Sequence, residues 1–376
     1  MRKPPRLLLV GALAAGALLV PSSALAQSGG SVQPKIVGGF SASVSTYPWQ
    51  AAVGYSTGES PGEDAHQRLF CGGSLLTSRI VITAGHCVAD TDPDCGPFAK
   101  PANPPLCTGL TDPSGDGSSQ IDPNDVDVVL GRSTLTDTGQ GTELPVSAVV
   151  LRANFDGNYN GDGVPRYDVA YLVLSSASGQ TPVKIAGPDE NALWDQGSSA
   201  EISGWGSTSE SSGTVDTLRS ATVGVISDAT CGSSSIYGSD FDPTTMLCAG
   251  SLSGTTDSCF GDSGGPLEAP LQGGGYRLIG ITGWGYGCGR PDAPGVYTRV
   301  AGPTMRALVA SDASSIDSTY GLPVEPIFGN GGQPRGAAGS TTAPTARALR
   351  KCKRARTRKK RRRCIKRVKA RARANV

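Results

Sequence analysis

Apolar positions along this chain fall into runs of two kinds. One continuous stretch, Leu7 to Val20, follows the basic residues Arg2, Lys3 and Arg6 and precedes Ala24-Leu25-Ala26. A run of about 14 residues is shorter than the roughly 20 that a membrane-crossing helix needs. A basic start, an apolar middle and a small-residue cleavage site instead predict a secretory signal peptide, residues 1–26, and export of a chain without an anchor. From Trp49 to Val300 the apolar residues come in short segments such as Ile80-Val81-Ile82 and Tyr171-Leu172-Val173-Leu174, separated by Gly, Ser, Asp and Pro clusters. That pattern predicts antiparallel strands in a sandwich or barrel. Only Pro303 to Ala310, with Met305, Leu308 and Val309 apolar, predicts a helix. Residues 90–125 carry few large apolar side chains and predict an inserted loop. Gly329 to Thr345 has the Gly/Pro/Thr composition of a linker.

Composition agrees with an all-β chain: 376 residues with 38% hydrophobic content and 52 glycines can bury a sizeable core while making many turns. The net charge of +2 conceals a division. From Arg347 to Val376 the chain carries 17 of its 34 basic residues and no acid, whereas Ile36 to Arg335 holds 13 basic residues against all 32 acids, a balance of −19. Residues 347–376 are therefore expected to form a disordered or weakly ordered basic tail. Such a tail suits contact with an anionic cell-wall polymer, membrane headgroups or nucleic acid, or with the acidic body itself. No aromatic residues are interleaved with the charges, which argues against base stacking on single strands.

Ser263 stands in Gly261-Asp262-Ser263-Gly264-Gly265-Pro266, where small neighbours let backbone N–H groups converge beside its hydroxyl. Taken alone, such a stretch also occurs as an ordinary Gly/Ser loop. A serine nucleophile needs a base, and of the two histidines His86 follows an apolar strand in Thr83-Ala84-Gly85-His86-Cys87, while His66 sits among polar loop residues. The base in turn needs an orienting carboxylate, and Asp168 is a lone acid opening the apolar run Val169 to Leu174. The order His86, Asp168, Ser263 is that of one known arrangement of the Ser-His-Asp triad.

With these segments, Ile36-Val37-Gly38-Gly39, Tyr47-Pro48-Trp49-Gln50, Cys71-Gly72-Gly73-Ser74-Leu75, Gly204-Trp205-Gly206 and Pro294-Gly295-Val296-Tyr297 follow in one order. Over about residues 36–311 the chain resembles the trypsin-like (chymotrypsin-fold) serine proteases. The resemblance implies two antiparallel six-stranded β-barrels and a short C-terminal helix, with His86 and Asp168 from the first half meeting Ser263 from the second. It implies an oxyanion hole from the N–H groups of Gly261 and Ser263, and a primary pocket built by Asp257, Ser258, Trp284, Gly285 and Gly295. Asp257 at its floor would select substrate Lys or Arg. Residues 27–35 then read as a propeptide cut after Lys35, with the new amino group of Ile36 pairing with Asp262. Residues 312–346 follow the protease domain as the linker.

Ten cysteines are an even count, permitted as disulfides after export, with connectivity that spacing leaves open. The resemblance implies Cys71–Cys87, Cys231–Cys248 and Cys259–Cys288. Cys95 with Cys107, and Cys352 with Cys364, are then left to pair locally. No CxxC or adjacent histidine points to zinc. In the segment aligned with the family's calcium loop, Arg132 stands where an early acidic ligand is expected and Glu143 matches a later one; one carboxylate is too few for a hard cation. No metal or cofactor is expected. Two further departures stand near the site: Gly283 replaces a serine that supports the triad aspartate, and Phe260 occupies a position where a polar residue is common. The functional expectation is a secreted, extracellular, monomeric endopeptidase made as a zymogen. Its rival is an inactive protease fold that binds anionic polymers, and the complete triad disfavours it.

Overall fold

The computed structural model describes residues 36–90, 119–152, 154–155 and 164–335. The signal peptide, Lys35, the Cys95 and Cys107 loop, Cys352, Cys364 and the basic tail lie outside the described residues. In chain order the strands are β1 (Phe40–Ser41), β2 (Gln50–Tyr55), β3 (Leu69–Leu75), β4 (Ile80–Thr83), β5 (Ala89–Asp90) and β6 (Ser119–Gln120). There follow β7 (Val126–Leu130), β8 (Thr142–Leu151), β9 (Ala170–Leu174), β10 (Ser199–Gly204) and β11 (Arg219–Ile226). The last are β12 (Met246–Gly250), β13 (Pro266–Pro270), β14 (Tyr276–Trp284) and β15 (Gly295–Thr298). A short helix α1 (Asp228–Cys231) precedes β12, and α2 (Pro303–Tyr320) follows β15.

Strands β2-β3-β4-β9-β8-β7 close a first antiparallel barrel. Strands β11-β10-β13-β14-β15-β12 form a second, closed by the β11–β12 pairing, with β1 added to its rim against β11. The expected pair of six-stranded barrels is present. Alternation explains their inner faces: along β11, Ala221, Val223 and Val225 are buried while Thr222 and Gly224 face water. In β8 the alternation breaks at adjacent buried residues Ala148 and Val149, where the register against β9 shifts. Strands β4 and β9 are buried along their whole length and pair with each other, Ile80 opposite Val173 and Ile82 opposite Tyr171. The chain runs from β4 directly into the segment that holds His86 and enters β9 directly from the segment that holds Asp168.

The helix is longer than its apolar periodicity suggested. Beyond Ala310 it continues with Ala313 and Ile316 on the face already buried by Met305 and Val309, and it stops at Gly321, whose left-handed φ of 62° forms the cap. Small and polar residues hid this second half. Burying Met305, Val309 and Ile316 contributes about 2 kcal/mol each. Asp312, two residues past the expected end, pairs with Arg152 and accepts from the Tyr171 hydroxyl at 2.9 Å, tying the helix to the first barrel.

Residues 322–335, assigned by composition to the linker, instead form a strap over both barrels. Glu325 accepts from the Ser78 backbone N–H at 3.1 Å, Phe328 bridges Ile185 between the barrels, and Pro334 bridges Leu271 of the second. The strap is secured by the fully buried Glu190. Its carboxylate accepts from Arg277 Nε at 3.0 Å, from Gly187 N at 2.9 Å and from Gly332 N at 2.6 Å. Removing one partner of a buried pair leaves an uncompensated charge. We therefore expect Glu190→Ala to lower unfolding stability by about 3–5 kcal/mol, read as a lower urea midpoint with an unchanged slope. A loss below about 1 kcal/mol would mean that apolar contacts alone hold the strap.

Candidate active site

His86 sits in a single turn, Gly85–Cys87, immediately after β4, and the Cys71–Cys87 disulfide ties that turn back to β3. Asp168 precedes β9, and both side chains are buried. The backbone N–H of His86 donates to Asp168 Oδ1 at 2.8 Å, and His86 Nδ1 lies 2.8 Å from Asp168 Oδ2. With the ionised carboxylate as acceptor, Nδ1 carries the proton and Nε2 is left to act as a base. The second barrel contributes as well: the Thr298 hydroxyl donates to the Asp168 backbone carbonyl at 3.0 Å. Thr298 follows the Pro294–Tyr297 motif directly, yet nothing in its sequence context marked it as a partner of the aspartate.

Ser263 lies on a turn held at several points. Asp262 N donates to Cys259 O at 2.9 Å, Gly264 N to Thr282 O at 2.8 Å, and the β3 residue Gly72 donates its N–H to Ser263 O at 2.7 Å. Gly264 has a φ of 77°, and a Cβ there would lie 2.1 Å from Thr83 Oγ1 and 3.1 Å from Ala84 N. The serine turn therefore rests directly against the segment that leads into His86, which only a glycine permits. Among the described residues, the backbone N–H groups of Gly261 and Ser263 have no acceptor.

Six residues before Ser263, Asp257 is 2% exposed. Its Oδ2 accepts from Gly289 N at 2.9 Å, while Oδ1 is buried without a hydrogen-bond partner. Burial raises its carboxyl to about 6. Gly295 borders Oδ1, where a Cβ would come within 2.9 Å, and a Cβ on Gly285 would touch the Gly287 carbonyl oxygen at 3.4 Å and the Tyr237 hydroxyl at 3.8 Å. Ser258 Oγ and Tyr297 OH stand 3.2 Å apart beside the same carboxylate.

A family model described as Trypsin matches residues 36–98 and 117–306. A trypsin of Saccharopolyspora erythraea is 34% identical over 265 residues, spanning 70% of this chain and 93% of that protein. Trypsin-1 of Astacus astacus is 35% identical over 271 residues, 71% of this chain and 95% of its own. The chain belongs to the trypsin family. It is thus a trypsin-like serine protease acting on peptide substrates, and no helix among the described residues is long and apolar enough to cross a membrane. The break in the family match, 99–116, falls within the inserted loop.

Disulfides Cys231–Cys248 and Cys259–Cys288 complete the set formed among the described residues. Cys71 and Cys87 lie close to His86 with metal-ligand spacing, but both sulfurs are spent in their disulfide and offer no thiolate. Glu143 stands between Arg68 and Arg132, with Arg132 Nη1 at 3.8 Å, so guanidinium groups surround the carboxylate that a calcium ion would need. Opposite Asp168 Oδ2, a Cβ at position 283 would lie 3.6 Å away. Gly283 leaves that side of the carboxylate without a hydroxyl, and Asp168 is held by the His86 backbone N–H on Oδ1 and by Thr298 on its main-chain carbonyl. Phe260 is exposed at the mouth of the cleft.

Asp262, the neighbour of Ser263, is 3% exposed. Gly206 N donates to its Oδ1 at 2.8 Å and Cys259 N to its Oδ2 at 3.0 Å, and among the described residues no Lys or Arg reaches it. Burial raises its carboxyl to about 7. The Gly204-Trp205-Gly206 motif now has a physical reason, since a Cβ on either glycine would come within 2.6 Å of the carboxylate. Between about pH 4 and 7 the folded carboxyl keeps a proton that the unfolded chain has released, so stability falls as pH rises. Three pKa steps correspond to roughly 4 kcal/mol. The uncut protein should lose stability of that order across this range relative to its Asp262→Asn variant, in denaturant unfolding at stepped pH. Parallel curves for the two proteins would contradict a buried, unpaired Asp262.

Proposed function

We propose that this chain is a secreted endopeptidase that cuts after Lys and Arg, made as a zymogen with signal 1–26 and propeptide 27–35. The observation that carries the specificity is Asp257, a buried carboxylate with one oxygen unpaired, bordered by Gly295, where a side chain would come within 2.9 Å of that oxygen. A substrate guanidinium or ammonium would supply the missing partner, whereas an apolar side chain would leave the charge alone.

In this reading Ser263 Oγ attacks the scissile carbonyl carbon as His86 Nε2 takes its proton. The carbonyl oxygen becomes an oxyanion received by the free N–H groups of Gly261 and Ser263. His86 then gives the proton to the leaving amine, and Asp168 holds the imidazole's tautomer throughout. Water repeats the sequence on the acyl-enzyme. Cutting after Lys35 would free the Ile36 amino group. Ile36 is fully buried, Val37 bridges Asp257, and β1 pins the following residues to the second barrel. The new cation would thus arise close to the pocket, where the unpaired Asp262 can accept it.

Replacing Ser263 with Ala should lower turnover of an arginyl anilide by about 10⁶-fold, since triad residues act as a unit. A loss under tenfold would end the assignment. The cleaved Ser263→Ala protein also isolates the pocket from the chemistry. A small aromatic amidine, followed by calorimetry, should bind about tenfold more tightly at pH 7 than at pH 5, because Asp257 ionises near 6. Adding Asp257→Ser should weaken binding and flatten the profile. Equal affinity in both proteins at every pH would move the specificity determinant elsewhere.

A further inference from the structure

Glu210 takes no part in the chemistry described so far, yet two segments of the site meet on its carboxylate. Arg290 grips it with a fork of two donors, Nε to Oε1 at 2.6 Å and Nη2 to Oε2 at 2.8 Å, and Cys288 N donates to Oε1 at 2.8 Å. The Arg290 hydrogen bonds hold the Glu210 carboxyl below the usual carboxylate range. Gly287, with a φ of 96°, makes room for the pair, since a Cβ there would lie 2.0 Å from Glu210 Oε1 and 2.5 Å from Arg290 Nε. Only a glycine admits the fork.

The two partners belong to separate parts of the chain. Arg290 ends the segment 287–290, in which Gly289 N donates to Asp257 Oδ2 at 2.9 Å and a Cβ on Gly289 would lie 2.6 Å from Val37 Cγ1. That segment is fixed covalently, because Cys288 is bonded to Cys259 at the start of the serine turn. Glu210 stands in the middle of loop 207–215, whose ends are held by Ser207 N on Phe260 O at 2.7 Å and by Val215 N on Trp205 O at 2.8 Å. The loop bears directly on Gly261: a Cβ there would come within 2.7 Å of Thr214 Cγ2 and 3.3 Å of Gly206 Cα. Between its ends the loop bonds mainly to itself, Ser212 Oγ accepting from Thr208 N and Ser209 N, while Thr214 Oγ1 lies 3.2 Å from His66 Nε2.

We propose that Glu210 and Arg290 are positioning residues: their pair clips loop 207–215 to the segment that meets Asp257 and, through Thr214, keeps the Gly261 N–H aimed at the oxyanion. The inference rests on the reading of Gly261 and Ser263 as oxyanion donors and adds what holds one of them. Three features support it. Gly261 has a φ of 90°, and a glycine has no side chain to fix its own backbone, so the direction of its N–H depends on what packs against it. The disulfide makes segment 287–290 the rigid partner, so the clip passes order to the loop rather than taking it away. A guanidinium fork on a carboxylate fixes orientation as well as distance. Both side chains are exposed, which keeps the hold modest and open to screening by salt.

The test measures kcat and KM for an arginyl anilide in the chain beginning at Ile36, with active sites counted by a serine-directed phosphonylating reagent so that a smaller folded fraction cancels. Glu210→Gln and Arg290→Gln change the net charge in opposite directions. A general field effect would therefore move the two variants apart, whereas loss of the clip should lower kcat about fivefold in both and leave KM within about twofold. The variant carrying both substitutions should be no slower than either alone, because the two side chains act as one pair. Added salt should bring kcat of the unsubstituted chain toward that of the variants, which should stay level. If the unsubstituted chain leaves the anilide uncut, the proposed function fails and this inference with it. Cleavage at full kcat in both single variants, or losses that multiply in the double variant, overturns the clip alone.

Discussion

Everything at the catalytic turn is arranged around a carboxylate buried without a cation. Asp262 is enclosed by Gly204, Gly206 and the backbone of Cys259, and burial raises it far above the ordinary aspartate range. Such a group is tolerated only where every small neighbour is kept small and the remaining lone pairs are met by N–H groups. Its neighbours in the chain are the residues proposed to carry the chemistry: Gly261, whose N–H has no acceptor among the described residues, and Ser263. Whatever charge state Asp262 holds is therefore felt first by the turn proposed to bind an oxyanion. The proposed Ile36 ammonium would turn the least favourable buried group of the structure into a paired one.

The proposed catalytic residues come from different barrels, so the site also depends on what keeps the barrels together. Part of that work is done close to the chemistry, by Gly72 on the serine turn and Thr298 on the aspartate. Further off, Trp49 Nε1 donates to the buried Glu268 at 2.6 Å, and the Ser203 hydroxyl reaches Gln50 at 2.6 Å, each linking β13 or β10 to the first barrel's opening strand. Burial holds Glu268 near 8, so it is protonated at neutral pH and carries no charge into this contact. The helix, through Asp312, and the strap, through Glu325 and Glu190, fasten the same joint from behind.

The candidate site was more legible in the sequence than its supports were. A serine among glycines, a histidine closing an apolar strand and a lone acid opening another stand out because the chemistry restricts their neighbours. The barrels were legible because period-two alternation writes the inner face into the sequence, as along β11. Thr298 was not, because a threonine at a strand end is unremarkable until the tertiary fold sets it beside Asp168. The second half of α2 was hidden by Ala313 and by Ser and Asp residues, whose helical stripe is thin and whose burial comes from the barrels. The strap from 322 to 335 read as linker for a related reason: its Gly and Pro residues suit flexibility, but long-range partners such as Ile185, Leu271 and Glu190 hold it.

The coupling of Asp262 to the oxyanion turn is the central claim, and labelling of Ser263 tests it most directly. A serine-directed phosphonylating reagent reacts only where the nucleophile, its base and the oxyanion donors are assembled. The full chain carrying Lys35→Gln and the chain beginning at Ile36 would be exposed to the reagent side by side, and the adduct located by peptide mass. The account predicts stoichiometric modification of Ser263 in the chain beginning at Ile36 and labelling slower by orders of magnitude in the uncut protein. Equal rates of Ser263 modification in the two would contradict it.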